Sequence, residues 1–276
     1  MRLPIALLAA AASLAGGVAH AASVEMKDAV ARVTVIPENR GDIKIEIISQ
    51  NPSLPLKVRT QGDRTIIDGN RRFNKISGCR GAAGNASVHV AGLGEVGWRD
   101  IPQIVIRTPR DVNIDAGGAV FGSIGRAANV DLGNAGCGDW TVGNVEGRLR
   151  VSQAGSGNTR AGAASEAKLR VAGSGNLTTA DVRGRLDVDV AGSGDVAVAS
   201  VAGPLDVHIA GSGNVRVSGG HATAMSVSVA GSGDVNFGGV ADNLKARIAG
   251  SGDVRARAVR GEVSKSVMGS GGVTIG

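Results

Sequence analysis

The sequence predicts an all-β fold in which a single chain winds into a parallel β-solenoid, or β-helix, of about 19 residues per coil. The first observation is a motif, Ala-Gly-Ser-Gly followed by Asp or Asn, whose six copies begin at Ala154, Ala172, Ala191, Ala210, Ala230 and Ala249. The second is its period, because degenerate copies at Ala116, Ala135 and Met268 extend the series with spacings of 18 to 20 residues. A fixed period near 20 residues is typical of chains that stack one supersecondary unit on the next.

The third observation is a two-residue alternation of apolar residues on both sides of each motif, which is the pattern of a strand with one buried face. Three short apolar stretches per coil, joined by glycine-rich corners, predict three inward-facing sets of side chains. In the coil that contains Ala191, the expected inward residues are Leu186, Val188 and Val190 before the motif, and Val196, Val198 and Val201 after it.

The chain begins with a predicted secretory signal peptide, residues 1–21. Arg2 precedes an apolar run from Leu3 to Val18, and the small residues Ala19 and Ala21 occupy positions −3 and −1 of a cleavage site expected after Ala21. No later stretch is apolar enough to span a bilayer. The mature protein is therefore expected to be exported and not membrane-spanning. The periplasm is its expected location, and the cell surface or the extracellular medium are the alternatives.

Residues 22–90 are expected to form strand-rich opening coils or a cap of the same domain, and residues 91–276 the solenoid repeats. The N-terminal part alternates β-branched residues, as in Val33-Thr34-Val35 and Ile43-Lys44-Ile45, between turns rich in Gly, Pro, Asn and Asp. Residues 69–87 interrupt this pattern with basic residues and glycines. They indicate either a solvated loop or a basic binding loop.

Only two cysteines are present, Cys79 and Cys137. In an exported protein an even pair predicts one disulfide, which would tether the basic loop to the solenoid, and two buried thiols are the alternative.

Glycine on either side of the motif serine is expected to allow positive φ and close approach of stacked backbones, and Asn or Asp to tolerate the left-handed region. Because the last motif position accepts either Asp or Asn, the column suits a turn and not a calcium array, which needs the charge. The predicted structural turn residues are Gly173, Gly175, Asn176, Gly192, Gly194, Asp195, Gly211, Gly213, Asn214, Gly231, Gly233, Asp234, Gly250, Gly252 and Asp253.

Composition and motifs argue against several classes of function. The net charge of +6 is mildly basic, but the chain has no Tyr and only three Phe and two Trp, so it lacks the stacking residues that single-stranded nucleic acid requires. The same scarcity argues against a flat aromatic surface that binds carbohydrate. No histidine column accompanies the motif serines, so no nucleophile is predicted, and no metal or cofactor. The alternative of a carbohydrate-active lyase or hydrolase depends on Asp187, Asp189 and Asp206, which lie on neighbouring coils.

Strand-rich opening residues followed by coils with Gly-Ser-Gly-Asp/Asn turns resemble the head GIN domain family, exported bacterial proteins with an inferred auto-transporter adhesin role. The resemblance covers roughly residues 30 to 275. It implies a right-handed β-solenoid that acts in adhesion or at the cell envelope, and it transfers no catalytic residue. The leading hypothesis is a non-enzymatic, adhesin-like binding or scaffolding protein.

Its ligand is unknown from the sequence, with a glycan or a protein of the envelope or surface as the candidates. Lys265 stands in an inward column of the last coil, among Gly269, Gly271 and Gly272, which predicts a partly protected edge. We therefore expect a monomer or a weak end-to-end homodimer.

Overall fold

The computed structural model describes residues 22–70, 75–81 and 84–276, so the predicted signal peptide lies outside the described residues. The fold is an all-β parallel solenoid of about nine turns with about 19 residues per coil, as the repeat period predicts. The strands of the N-terminal part are β1 Ser23–Glu38, β2 Lys44–Ser49, β3 Lys57–Gln61, β4 Arg64–Asp68, β5 Ile76–Arg80, β6 Ser87–Val90, β7 Gly94–Gly97 and β8 Gln103–Pro109.

The repeats supply the remaining strands. They are β9 Asp111–Ile124, β10 Asn129–Gly136, β11 Trp140–Val142, β12 Arg148–Gly155, β13 Thr159–Ala161, β14 Glu166–Gly173, β15 Leu177–Val182, β16 Leu186–Gly192, β17 Val196–Ala202, β18 Leu205–Gly211, β19 Val215–Ala222, β20 Met225–Gly231, β21 Val235–Ala241, β22 Leu244–Gly250, β23 Val254–Val259, β24 Val263–Gly269 and β25 Val273–Ile275.

Each strand of the repeats pairs in parallel with its equivalent in the next coil. The even-numbered strands from β10 to β24 form one ladder and the odd-numbered strands from β11 to β25 a second. The register holds the motif in line, since Ala154 pairs with Ala172, which pairs with Ala191. Equivalent side chains of successive coils therefore stack about 4.8 Å apart.

Two long strands, β1 and β9, belong to both ladders. The first half of β9 pairs with β10 and its end with β11, and β1 runs beside β9 along most of its length. Each strand turns the corner at a residue with positive φ, Asp28 in β1 and Gly118 in β9. On the other side β1 pairs with β4 and β8, which in turn receive the antiparallel strands β3 and β2.

A separate three-stranded antiparallel sheet, β5-β6-β7, covers the outer face of the first coils. We call it the cap sheet. Its buried side chains Val88 and Val90 join a small second core with Val30, Ala119 and Phe121, which point outward from β1 and β9. The predicted basic loop lies partly outside the described residues, and its described part contributes strand β5 to the cap sheet.

The main core is a continuous column of aliphatic side chains inside the solenoid. The predicted inward columns are buried along the stack, as Leu186, Val188 and Val190 show at 2% exposure or less. The third column is buried at Val182 and Val201 and half-buried at Val240 and Val259. Alternation alone therefore predicted which residues fill the solenoid.

The last coil is the least protected part of the stack. All seven residues of β24 are exposed, and Lys265 occupies the inward position opposite Ala246. A charged residue at a position that is apolar in the other coils is a common protection of sheet edges against pairing.

Candidate functional site

The first glycine of each motif turns the corner with positive φ. Its φ lies between +129° and +144° from Gly155 to Gly269, a region that side-chain-bearing residues rarely adopt. The second glycine has another role, because none of its copies has positive φ. A Cβ at Gly213 would stand 2.2 Å from the carbonyl oxygen of Gly194 in the coil before. The prediction of positive φ was right for the first glycine and wrong for the second, which permits close approach only.

The Asn/Asp column after the motif forms a hydrogen-bonded ladder. The Oδ1 atom of each residue accepts the backbone N–H of its equivalent one coil on, at 2.8–3.2 Å. The ladder consists of Asp139, Asn158, Asn176, Asp195, Asn214, Asp234 and Asp253, and ends on the backbone of Gly272.

The prediction that these residues adopt left-handed backbone was wrong. Among the described residues, positive φ outside glycine occurs only at Asp28 and Asn70. Oδ1 is common to Asn and Asp, so the ladder explains why the column accepts either residue. Over residues 22–70, 75–81 and 84–276, no three His, Cys, Asp or Glu side chains are placed to hold a metal ion.

The three aspartates of the enzyme alternative lie on an open strand face. Asp187 and Asp206 are neighbours in register, and one guanidinium, that of Arg185, contacts both carboxylates at 3.4 and 2.6 Å. Asp189 pairs with Arg170 of the preceding coil at 3.1 Å. All three carboxylates are therefore engaged by guanidinium groups of the same or a neighbouring coil. The arrangement suits charge pairing between coils.

Cys79 of the cap sheet and Cys137 of the corner after β10 are joined by a disulfide in the structure. Both cysteines pack against the second core. The bond links the cap sheet to the corner after β10.

We define the junction groove as the depression where the segment after the cap sheet meets the outer face of the first coils. It encloses about 380 Å³. It is lined by Arg32, Val33, Thr34, Trp98, Gln103, Phe121, Gly122, Ser123, Asp139, Thr141 and Arg160. Aromatic, cationic, anionic and hydroxyl side chains thus meet in one place.

Strand register positions the groove side chains in two rows. Gln103, Arg32 and Phe121 are neighbours across β8, β1 and β9. The second row runs across β1, β9, β11 and β13 and consists of Thr34, Ser123, Thr141 and Arg160. Every one of these strands pairs on both sides, so the backbone beneath the groove is held rigidly.

Arg32 is oriented by two contacts. Its Nε donates a hydrogen bond to the carbonyl oxygen of Ile101 at 3.0 Å, and its Cζ lies 5.3 Å from the ring centre of Trp98. Phe121 meets Trp98 edge to face at 5.5 Å. Gly122 forms part of the floor, and the indole of Trp140 packs against it from inside the solenoid.

A second, shallower depression of about 430 Å³ lies beside Glu25, Asp115 and Gly133. Burial raises the pKa of the Asp115 carboxyl, and the nearby charges of Asp131 and Glu25 raise it further. The carboxylate leans over Gly133, where a Cβ would stand 2.4 Å from its Oδ1. The described polar lining of this depression consists of three acids, Lys27, Asn134 and Ser152, and it contains no arginine and no aromatic ring.

The sequence did not predict the junction groove. Trp98, Phe121 and Arg32 are distant in the chain and lie outside the six complete motif copies; the β1–β9 pairing places Arg32 beside Phe121, and the segment after the cap sheet adds Trp98. The scarcity of aromatic residues was one available signal, since two of the five aromatics in the chain sit here. The outward position of Arg32 in an alternating strand was the other.

Comparison with family models assigns the chain. The family described as "Putative auto-transporter adhesin, head GIN domain" matches residues 103–220 and 200–276, which is more than half of the chain. The chain therefore belongs to the head GIN domain family, as its turn motifs had indicated. Comparison with curated proteins finds no match.

Two solved structures are similar in outline. A crystal structure named as a putative adhesin from Bacteroides fragilis is 14% identical, covers 93% of each chain and has a TM-score of 0.43. One named as a putative cell adhesion protein from Clostridium sporogenes is 9% identical, covers 89% of this chain and 94% of the other, and has a TM-score of 0.24. Within the part of the chain that the structure describes, no helix has the length and apolar content to cross a membrane.

Proposed function

We propose that this protein is an exported, non-enzymatic binding protein of the cell envelope with an adhesin-like role, and that it attaches through the outer face around the junction groove. Membership of a family described as adhesins supports the role. The predicted signal peptide supports export. We place the protein in the periplasm, with the cell surface or the extracellular medium as alternatives.

The observation that carries the proposal is the composition of the junction groove on a rigid backbone. Its described lining holds two guanidiniums, three hydroxyls, an amide and two aromatic rings, but one carboxylate and no histidine. Hydrolysis of a glycosidic bond ordinarily needs two carboxyl groups, so this set favours binding over turnover. Fixed polar groups around an apolar surface are typical of ligand sites.

A pair of variants tests attachment through this face. Thr141→Trp places bulk in the groove without changing its charge, and Thr178→Trp makes the same change on the same outward row, one coil beyond the groove lining. Fluorescently labelled protein would be titrated onto sacculi and outer-membrane fractions. We expect saturable binding of the wild type and of Thr178→Trp, and at least tenfold weaker binding of Thr141→Trp.

No saturable binding of the wild type to any fraction would overturn the binding role, and equal binding of the two variants would overturn the location. Release of new reducing ends from the fractions during incubation would overturn the non-enzymatic assignment. Protease treatment of intact cells, with a periplasmic marker as the control, identifies the compartment. Digestion with the marker spared would contradict the periplasmic assignment.

A further inference from the structure

We propose that the junction groove recognises the carboxylate of an acidic sugar, such as a uronic acid unit of a polysaccharide, with Arg32 as the residue that binds the carboxylate. This inference rests on the proposed binding function and names its ligand class. It is carried by the charge environment of Arg32, by the geometry of its guanidinium and by the side chains around it.

Arg32 differs from the other half-buried arginines. The described residues contain three of them, Arg32, Arg40 and Arg107. Arg40 contacts the carboxylates of Glu38 and Asp42, and Arg107 contacts those of Glu38 and Glu46. Arg32 has no carboxylate within 4 Å in the described part of the chain. Partial burial of a cation without an anion is costly, so a ligand anion would complete the pairing that the other two obtain from the protein.

The guanidinium of Arg32 is also arranged as a fork. Nε is engaged by the carbonyl of Ile101, and the ring of Trp98 lies over the guanidinium, which fixes its plane. The two terminal nitrogens make no hydrogen bond to any described residue, and they remain as donors on a residue that lines the groove. Two parallel N–H donors match the two oxygens of a carboxylate, and because the side chain is already ordered, little rotamer entropy is lost on binding.

The remaining lining suits a sugar ring beside the carboxylate. Thr34, Ser123 and Thr141 form a row of hydroxyls next to Arg32, and Arg160 extends that row as a second, exposed cation. Asp139 uses Oδ1 in the ladder, which leaves Oδ2 to accept from sugar hydroxyls. The edges of Trp98 and Phe121 add apolar surface for the C–H face of a ring.

An acidic peptide is the competing ligand, and the fold disfavours it. Peptides commonly bind sheets by adding a strand to a free edge. The strands beneath the groove, β1, β9, β11 and β13, all pair on both sides, so they offer no backbone edge. Recognition here must use side chains, and hydroxyl, amide and guanidinium groups are suited to the many hydroxyls of a glycan.

The test is calorimetric titration of the full mature chain with trigalacturonic acid, with a neutral galactose trisaccharide and with a triglutamate peptide. We expect the acidic trisaccharide to bind at least tenfold more tightly than the other two, and more weakly as salt increases. Arg32→Met should reduce this binding at least tenfold and Arg32→Lys severalfold, because lysine keeps the charge but loses the fork. Arg160→Met, at an exposed position where folding is not at risk, should reduce it about threefold.

Arg247→Met is the matched control, an exposed arginine on β22 outside the groove, and should bind like the wild type. Equal binding of the neutral trisaccharide would overturn the role of Arg32, and equal or tighter binding of the peptide would overturn the sugar assignment. If none of the three probes binds while the wild type still attaches to envelope fractions, this inference is wrong and the proposed function stands. Failure of attachment to every fraction would instead overturn the proposed function.

Discussion

Replacing Asp195 tests whether the corner column works through a hydrogen-bond acceptor or through charge. Asp195 lies between Asn176 and Asn214 in the ladder, so no neighbouring rung carries a charge. Its Oδ1 accepts the backbone N–H of Asn214 at 2.8 Å and the side-chain amide of Asn214 at 3.0 Å. Asp195→Asn keeps this acceptor, whereas Asp195→Ala removes it and leaves two donors without a partner.

The magnitude follows from those two bonds. A net contribution of about 0.5–1.5 kcal/mol each, reduced by access of water at the corner, gives a cost of about 1–2 kcal/mol for Asp195→Ala. For a domain of this size that corresponds to a Tm lowered by about 3–6 °C. Asp195→Asn should change stability by less than about 0.5 kcal/mol.

Two measurements check this prediction. Urea unfolding followed by circular dichroism gives the free energies, and amide hydrogen exchange reports the N–H of Asn214 itself. Exchange at Asn214 should accelerate in the alanine variant and remain unchanged in the asparagine variant. Equal destabilisation by Asn and Ala would refute the ladder reasoning, because it would show that the column depends on charge, as a cation site would.

Three further predictions concern the corner, the cap sheet and the carboxyl of Asp115. Gly213→Ala should lower the free energy of unfolding by about 3 kcal/mol in urea titration, because its Cβ would meet the carbonyl oxygen of Gly194 at 2.2 Å. Joint replacement of Cys79 and Cys137 by Ser should cost about 4 kcal/mol by the loop-closure model for their separation of 58 residues, and limited proteolysis should then cut the cap sheet first. Asp115→Asn should raise the Tm at pH 7. Because burial raises the pKa of Asp115 in the folded protein, the wild type loses stability as the pH rises through that pKa, and the difference between the two proteins should vanish below about pH 3.8.

Each of these three has a result that would contradict it. Ser212→Ala, at the exposed centre of the same turn, is the control for the corner and should change stability by less than about 0.5 kcal/mol. An equal cost at Ser212 would indicate that any change at the corner is harmful. Unchanged proteolysis without the disulfide would show that packing alone holds the cap sheet. A stability difference at Asp115 that does not vary with pH would remove titration as its cause.

The repeat part of the fold could be predicted because its information is local and redundant. If one residue had been assigned to the wrong column, its equivalents in the other coils would have shown the mistake. Val171 and Ile209, for example, support the inward position of Val190. Burial follows from alternation, and stacking follows from the period. Outward residues of opposite sign pair between coils, as Arg150 and Asp131 do at 3.3 Å.

The roles of the corner residues could not be separated by composition. Glycine satisfies two different demands, positive φ at Gly211 and close backbone approach at Gly213, and the sequence letter is the same for both. Asn and Asp likewise suit either a left-handed backbone or an acceptor side chain. Only the position of the next coil shows that Asn214 serves as an acceptor, because its Oδ1 accepts the backbone N–H of Asp234.

The candidate site was unpredictable for a different reason, which also bears on how such a protein can acquire a function. In the coils after the junction some outward charges pair with a neighbouring coil, as Arg170 pairs with Asp189, and arginines without such a partner, such as Arg216 and Arg247, are exposed. The cap sheet interrupts the stack, covers Phe121 and brings Trp98 beside Arg32, a strand position whose neighbours in register are not acidic. Among the described arginines, the one that is half-buried without a carboxylate partner, Arg32, lies where the repeat symmetry breaks. Binding in this fold is therefore best sought at the junction. Arg32→Met is the change that distinguishes a ligand-binding site there from a contact with a purely structural role.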